Sequence, residues 1–300
     1  MTIKLDEVDY KCIEVLRQQP QATWREVSEK VDVTERTVAR RMQRLLDEKI
    51  FRVLGETDPL ILKKGGVHHV WIKCKLGMVE EVATSLKNMD CCKLTLSLTG
   101  AYDLFAEFHF DSREEMLQYT FQIIPAIEGV QTYDNNAVLR HFKQASNRSY
   151  HEEKELSKDE KRLIELLLQD GRAKITELST SLNLSAPTVK GMIDQLIQER
   201  VLSYKLDIEP ILIGYTTEAI IGLEVAPSEM QGVIDILQAS KFTRCLFGTS
   251  GKSQVFWHVV HDNNHSLWNL VGELLKDFKG INRMNLNMVL HAYKRSGYIR

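Results

Sequence analysis

The sequence predicts an α+β chain built from two tandem copies of one two-part unit, and three observations predict it. First, the chain matches itself at one constant offset. Leu5, Ile13, Leu16, Thr37, Val38 and Leu45 meet Leu156, Ile164, Leu167, Thr188, Val189 and Leu196, and far downstream Gly100 and Gly129 meet Gly251 and Gly280. An offset that holds throughout means a duplication without insertions. Second, each copy opens with short stretches of helical periodicity. Third, each copy closes with alternating strand patterns interrupted by two helical ones.

Taken in order, Asp6, Glu7 and Asp9 open a first helix with acids, which suit the positive end of the helix dipole. Ile13 and Leu16 continue its apolar face and Pro20 ends it. Thr23, Trp24, Arg25 and Glu26 have the capping-box form that starts a second helix, with Val27 and Val31 on its buried side. Asp32 and Val33 make a short turn, and Thr34 caps a third helix. Val38, Met42 and Leu45 give that helix one apolar stripe, and Arg36, Arg40, Arg41 and Arg44 fall on the other side. A tight turn before a basic third helix makes a helix-turn-helix. Guanidinium groups turned outward from such a helix suit a phosphate backbone and base edges. Ile50 to Leu54 reads as a strand, the start of a wing.

The second part begins with alternation at Val70, Ile72, Cys74 and Leu76, followed by a helix with Val79, Val82, Leu86 and Met89. Leu94, Leu96 and Leu98 alternate again. Leu104, Ala106, Phe108 and Phe110 give a third strand, Met116, Leu117, Phe121 and Ile124 a second helix, and Ala137 and Leu139 a fourth strand. The order β-α-β-β-α-β is ferredoxin-like: an antiparallel sheet with two helices on one face. Its other face needs a cover, and in a duplicated chain that is the sister sheet or another subunit. The expected segments are a winged helix-turn-helix over 1–62, a ferredoxin-like domain over 63–145 and a polar linker over 146–155. A second winged helix-turn-helix follows over 156–213 and a second ferredoxin-like domain over 214–300.

Three hundred residues suit several domains, and a hydrophobic fraction of 43% supplies a core. A net charge of −2 means that any basic surface is local, as it is around Arg36 to Arg44. Cys12, Cys74, Cys91, Cys92 and Cys245 form no C-x-x-C pair, so neither a disulfide framework nor a zinc site is expected. The N-terminal segment has no apolar signal-peptide core, and no apolar run approaches the roughly 18 residues that span a bilayer. A cytoplasmic chain without membrane contact is expected. Glycine-rich phosphate loops, nucleophile elbows and H-E-x-x-H are missing, so no enzyme class and no cofactor is assigned.

Several segments together resemble the leucine-responsive regulator family, Lrp/AsnC. They are Leu5-Asp6 with Asp9, then Thr34, Thr37, Val38, Arg41, Met42 and Leu45, then Asp58-Pro59, Thr99 to Leu104, and Ile127 to Val130. The resemblance implies a transcription regulator that binds double-stranded DNA through Thr34, Glu35, Arg36, Thr37, Arg40, Arg41 and Arg44. It also implies a small effector, typically an amino acid, bound between effector domains near Gly100, Tyr102 and Asp103, and a homo-oligomer of at least two chains. In that setting Gly100 lets the backbone approach the ligand and Asp103 accepts from its ammonium group. Siroheme decarboxylases resemble the same architecture and use histidines. Here His68, His69, His109, His258, His261 and His265 read as solvated strand and loop residues.

The second copy departs from the first. Arg36, Arg40, Arg41 and Arg44 become Pro187, Gly191, Met192 and Gln195, and Asp103 becomes Gln254. The first helix-turn-helix is therefore expected to carry most of the DNA affinity and the second to be modified for packing or a different ligand, and the two effector turns to differ in ligand chemistry.

Overall fold

The computed structural model describes residues 5–57, 65–143 and 155–295. The first half runs α1 (Glu7–Gln18), α2 (Trp24–Val31), α3 (Glu35–Asp47), β1 (Phe51–Glu56), β2 (Gly66–Cys74), α4 (Val79–Lys87), β3 (Cys92–Leu98), β4 (Leu104–Phe110), α5 (Arg113–Gln118) and β5 (Val130–Lys143). The second half repeats it as α6 (Lys158–Gln169), α7 (Ile175–Leu182), α8 (Ala186–Gln198), β6 (Ser203–Ile208), β7 (Thr217–Val225), α9 (Met230–Ala239), β8 (Thr243–Thr249), β9 (Val255–His261), α10 (Asn264–Leu275) and β10 (Ile281–Arg295). The expected hinge at Asp58 and Pro59, and most of the expected linker, lie outside the described residues.

The chain gathers into two units, and each draws on both halves: 1–57 with 154–214, and 58–153 with 215–300. The fold is α+β, two tandem copies of a winged helix-turn-helix and a ferredoxin-like domain.

In the helical unit the expected caps on α2 and α3 are present, and the first-turn acids of α1 also cap it. Asp6 and Asp9 form a reciprocal capping box on α1, Thr23 and Glu26 form one on α2, and Thr34 accepts from the Thr37 N–H at the start of α3. Val38, Met42 and Leu45 are fully buried against Ile13, Leu16 and Val27. The wing strand, however, finds its partner among the described residues in the other half. β1 pairs antiparallel with β6, from Phe51 opposite Ile208 to Glu56 opposite Ser203. Leu206 and Ile208 thereby complete the core of the first helix-turn-helix. Arg172 donates to the Pro20 and Ala22 carbonyls at 3.0 and 2.8 Å and lies over the Trp24 ring. Sequence periodicity reports which residues of a strand are buried, not which strand it meets, so this exchange was invisible to it.

In the sheet unit each half forms a four-stranded sheet in the ferredoxin-like order, β3-β4-β2-β5 and β8-β9-β7-β10, and the two close into one barrel. The closure is made by the long last strands. β5 pairs with its own β2 up to Ala137 and then with β8, and β10 pairs with its own β7 and then with β3. The inner faces meet: Leu94, Leu96 and Phe105 pack with Ile220, Phe247 and Phe256. The sister sheet is thus the cover that the sequence left open. The exchange is reciprocal in detail. The Lys143 ammonium donates to the Gln238 and Ser240 carbonyls at the end of α9, and Lys294 does the same to Lys87 and Met89 at the end of α4. A cation at a helix C-terminus is favourable, so each half ties off a helix of the other.

Two element readings are corrected. β2 stops at Cys74, and Leu76 stands exposed in the turn beyond it. The helix at Arg113 passes through a π-helical turn at Tyr119–Ile123 before Ile124–Ala126. The extra residue shifts the buried face to Thr120 and Ile124, and leaves Phe121 and Leu117 exposed.

Candidate functional site

The first candidate is the exposed side of α3. Thr34, Glu35, Arg36 and Arg40 are exposed, and Thr37 is half-buried beside them. Arg41 and Arg44 correct the expectation of four outward guanidinium groups. Asp9, whose side chain is only 1% exposed, takes the Arg41 guanidinium at 3.0 Å and that of Arg44 at 3.1 Å, and Asp6 takes Arg41 at 2.5 Å. A buried carboxylate needs such partners, so Arg41 braces α3 against α1, and Arg44 is divided between that brace and the surface. The matching face of α8 shows Ala186, Pro187, Lys190 and Gly191 to solvent. It keeps the Ser185 cap and the buried Val189 and Leu196 but offers a single cation where α3 offers arginines.

The second candidate is a cavity of about 440 Å³ in the sheet unit, drawn from both halves and within the usual range for small-molecule sites. His69, Gly222, Thr249, Val255, Phe256 and Asn287 are its buried residues, and Trp71, Tyr102 and Met284 are half-buried in its wall. Asp134, Lys252 and Arg283 are its exposed charged residues. Two turns border it. The one at Gly100 is held by the Thr99 N–H donating to the Met288 carbonyl and the Met288 N–H donating to the Thr99 hydroxyl. The other, at Gly251, is tied to Ala137 through Ser250 in the same way. Gly100 has φ +102°, and a Cβ there would lie 2.7 Å from the Asn287 Oδ1. Glycine is required for that close approach of the two halves, not only for an approach to ligand.

Of the expected effector residues, Gly100 and Tyr102 line the cavity. Asp103 does not. Its carboxylate accepts from the Cys74 N–H at 2.8 Å and from the Lys73 ammonium at 2.9 Å, tying the turn to the end of β2. Gln254 takes the Val225 N–H in the sister position. The Asp103-to-Gln254 change therefore alters a structural tie, not ligand chemistry. The acid that does line the cavity is Asp134, which accepts from the Tyr102 hydroxyl. Burial and that hydrogen bond push Tyr102 up to about 12.

The histidines are a further correction. His69 and His258 are fully buried and His109 nearly so. Glu107 accepts from His69 at 3.2 Å and from His109 at 2.8 Å. Glu218 accepts from His258 at 2.7 Å and from Arg295 at 2.9 Å. Burial holds His69 and His258 below the ordinary imidazole value despite these partners. The signal was in the sequence: a strand with buried residues on both faces leaves no wet side for Glu107 and His109. All five cysteines are buried and none forms a disulfide. Among the described residues no cluster suited to a metal is present, and no helix is long and apolar enough to cross a membrane.

Residues 5–46 match the AsnC-type helix-turn-helix domain, and residues 159–202 match a winged helix-turn-helix DNA-binding domain. The HTH-type transcriptional regulator FL11 of Pyrococcus abyssi is 28% identical over 135 residues, 44% of this chain and 89% of FL11. The HTH-type transcriptional regulator LrpA of Pyrococcus horikoshii is 22% identical over 136 residues, 45% of this chain and 96% of LrpA. Each thus corresponds to about one of the two tandem units. Among solved structures, the siroheme decarboxylase NirDL aligns over 98% of this chain and 94% of its own, with a TM-score of 0.69 and 15% identity. That likeness is one of fold across both halves.

Proposed function

We propose, taking the chain as a tandem-duplicated relative of the Lrp/AsnC regulators, that it is a cytoplasmic, sequence-specific DNA-binding transcription regulator, not an enzyme, whose DNA affinity a small effector adjusts. The observation that carries this reading is the contrast between α3, with Arg36 and Arg40 exposed beside Thr34, Glu35 and Thr37, and α8, with Pro187 and Gly191 in their places. Exposed guanidinium groups on a third helix supply phosphate contacts and bidentate contacts to guanine. With one such helix per chain, two chains are needed to read two half-sites about one helical turn, or a multiple of it, apart. The cavity around Gly100, Tyr102 and Arg283 is the place for the effector. A ligand there shifts DNA affinity only if it prefers one arrangement of the chain over another. A genomic footprint of the bound protein tests the reading. Recurrent sites with paired protected segments are expected, and sequence-independent protection contradicts it.

One observation favours a second reading, an enzyme acting on a tetrapyrrole: the likeness to NirDL runs through both halves, and the interior holds His69, His109 and His258. That reading leaves the arginine face of α3 without a use. Absorbance separates the two: a Soret band in the purified protein, with turnover of siroheme, replaces the regulator reading, and DNA binding without either sustains it.

A further inference from the structure

The cavity of the sheet unit sits where two copies of one fold meet, yet its two sides do not match. The aromatic and imidazole side chains His69, Trp71 and Tyr102 belong to the first half, and their sister positions hold Ile220, Gly222 and Ser253. The cations Lys252 and Arg283 belong to the second half, and their sister positions hold Ala101 and Thr132. A pairing of two identical first halves would have the rings without these cations, and a pairing of two second halves the reverse. Duplication within one chain brings both to one cavity.

The chemistry of the wall narrows the occupant. Trp71, Tyr102 and Phe256 present ring surface; Trp71 lies 5.8 Å from Tyr102 and 6.2 Å from Phe256, centroid to centroid. Rings at such spacing pack on one another and together present one apolar wall for a flat ring to lie against. Lys252 and Arg283 outnumber Asp134 among the charged residues of the cavity, and Asp134 is engaged by the Tyr102 hydroxyl. An arginine and a lysine together suit a carboxylate. His69 lines the same space, and its Nδ1 is buried without a hydrogen-bond partner. A buried polar atom without a partner costs stability unless a ligand or water satisfies it.

We propose that this cavity binds one aromatic carboxylic acid of one or two rings per chain, the ring against Trp71 and Tyr102 and the carboxylate toward Lys252 and Arg283. The proposal deepens the effector reading above and rests on it only for the effect on DNA, since binding to the cavity is measured by itself.

The test is calorimetric titration of the full chain with indole-3-acetate and benzoate, with benzamide and cyclohexanecarboxylate as the uncharged and non-aromatic controls. One site per chain is expected, with each control at least tenfold weaker. The double variant Lys252→Ala, Arg283→Thr carries the residues of the sister positions. It should weaken indole-3-acetate about tenfold or more and leave benzamide unchanged. Both positions are exposed, so the variant should unfold at the same temperature as the parent. Trp71→Leu should weaken both aromatic acids and not cyclohexanecarboxylate. Absence of binding by both aromatic acids, two equal sites per chain, or equal affinity for acid and amide overturns the proposal. Indole-3-acetate that binds as described while DNA affinity stays constant supports the site and overturns only the effector reading.

Discussion

At the scale of single residues, the charged side chains divide into those that hold the fold and those that face outward, and the division differs from what residue type suggests. Asp103 is bonded to the Cys74 N–H and to Lys73, so Asp103→Ala should lower the stability of the sheet unit by about 1–3 kcal/mol. It should leave ligand affinity within about twofold. Guanidinium unfolding and a ligand titration check the two halves of that statement. Arg41 is bonded to Asp6 and to the buried Asp9. Arg41→Ala should therefore cost the helical unit about 1–3 kcal/mol and leave the salt dependence of DNA binding unchanged. A lowered salt slope with unaltered unfolding would place Arg41 on DNA instead. Neither role was legible in the sequence. An acid in a glycine turn and an arginine on a basic helix look free until the chain folds a distant N–H or carboxylate against them.

At the scale of elements, the sequence was most legible where the determining interactions are local. The caps at Thr23 and Thr34 and the stripe of Val38, Met42 and Leu45 depend on neighbours three or four residues away, and all were found where the pattern put them. The strand exchanges were not legible, because β1 meets β6, and β5 meets β8, across more than a hundred residues of chain. The π-helical turn at Tyr119–Ile123 was missed for a related reason: one added residue changes the phase that a fixed period assumes. Helix α8 carries a testable local defect. Gly191 lies in its interior, and a Cβ added there would meet nothing within 4 Å. Gly191→Ala should stabilise the helix by about 0.5–1 kcal/mol, seen as slower hydrogen exchange of the α8 amides. Faster exchange would mean that the glycine serves a contact this packing does not contain.

At the scale of the whole molecule, the duplication makes each unit depend on both halves, and buried histidines bonded to buried carboxylates give the sheet unit a pH dependence. Burial holds His69 and His258 below the ordinary imidazole value. Burial opposes the charge on Glu107 and Glu218, but hydrogen bonds from His109 and His69 to the first, and from His258 and Arg295 to the second, hold both below the usual carboxylate range. All four groups bind fewer protons folded than unfolded, so stability rises with pH across their windows. The histidine part is lost as pH falls below about 6.5, and the carboxylate part as it falls below about 4.3. The guanidinium midpoint should fall between about pH 7.5 and pH 5.5, and His258→Leu should flatten that fall. A midpoint that rises on acidification contradicts the assignment. The central claim, that α3 and not α8 engages DNA, is tested most directly by titrating a footprinted operator at several salt concentrations with the parent chain, Arg36→Ala with Arg40→Ala, and Lys190→Ala. Loss of both arginines should reduce the salt slope by about two and the affinity by orders of magnitude, while Lys190→Ala changes neither. Equal losses from the two helices, or an unchanged slope without Arg36 and Arg40, would contradict it.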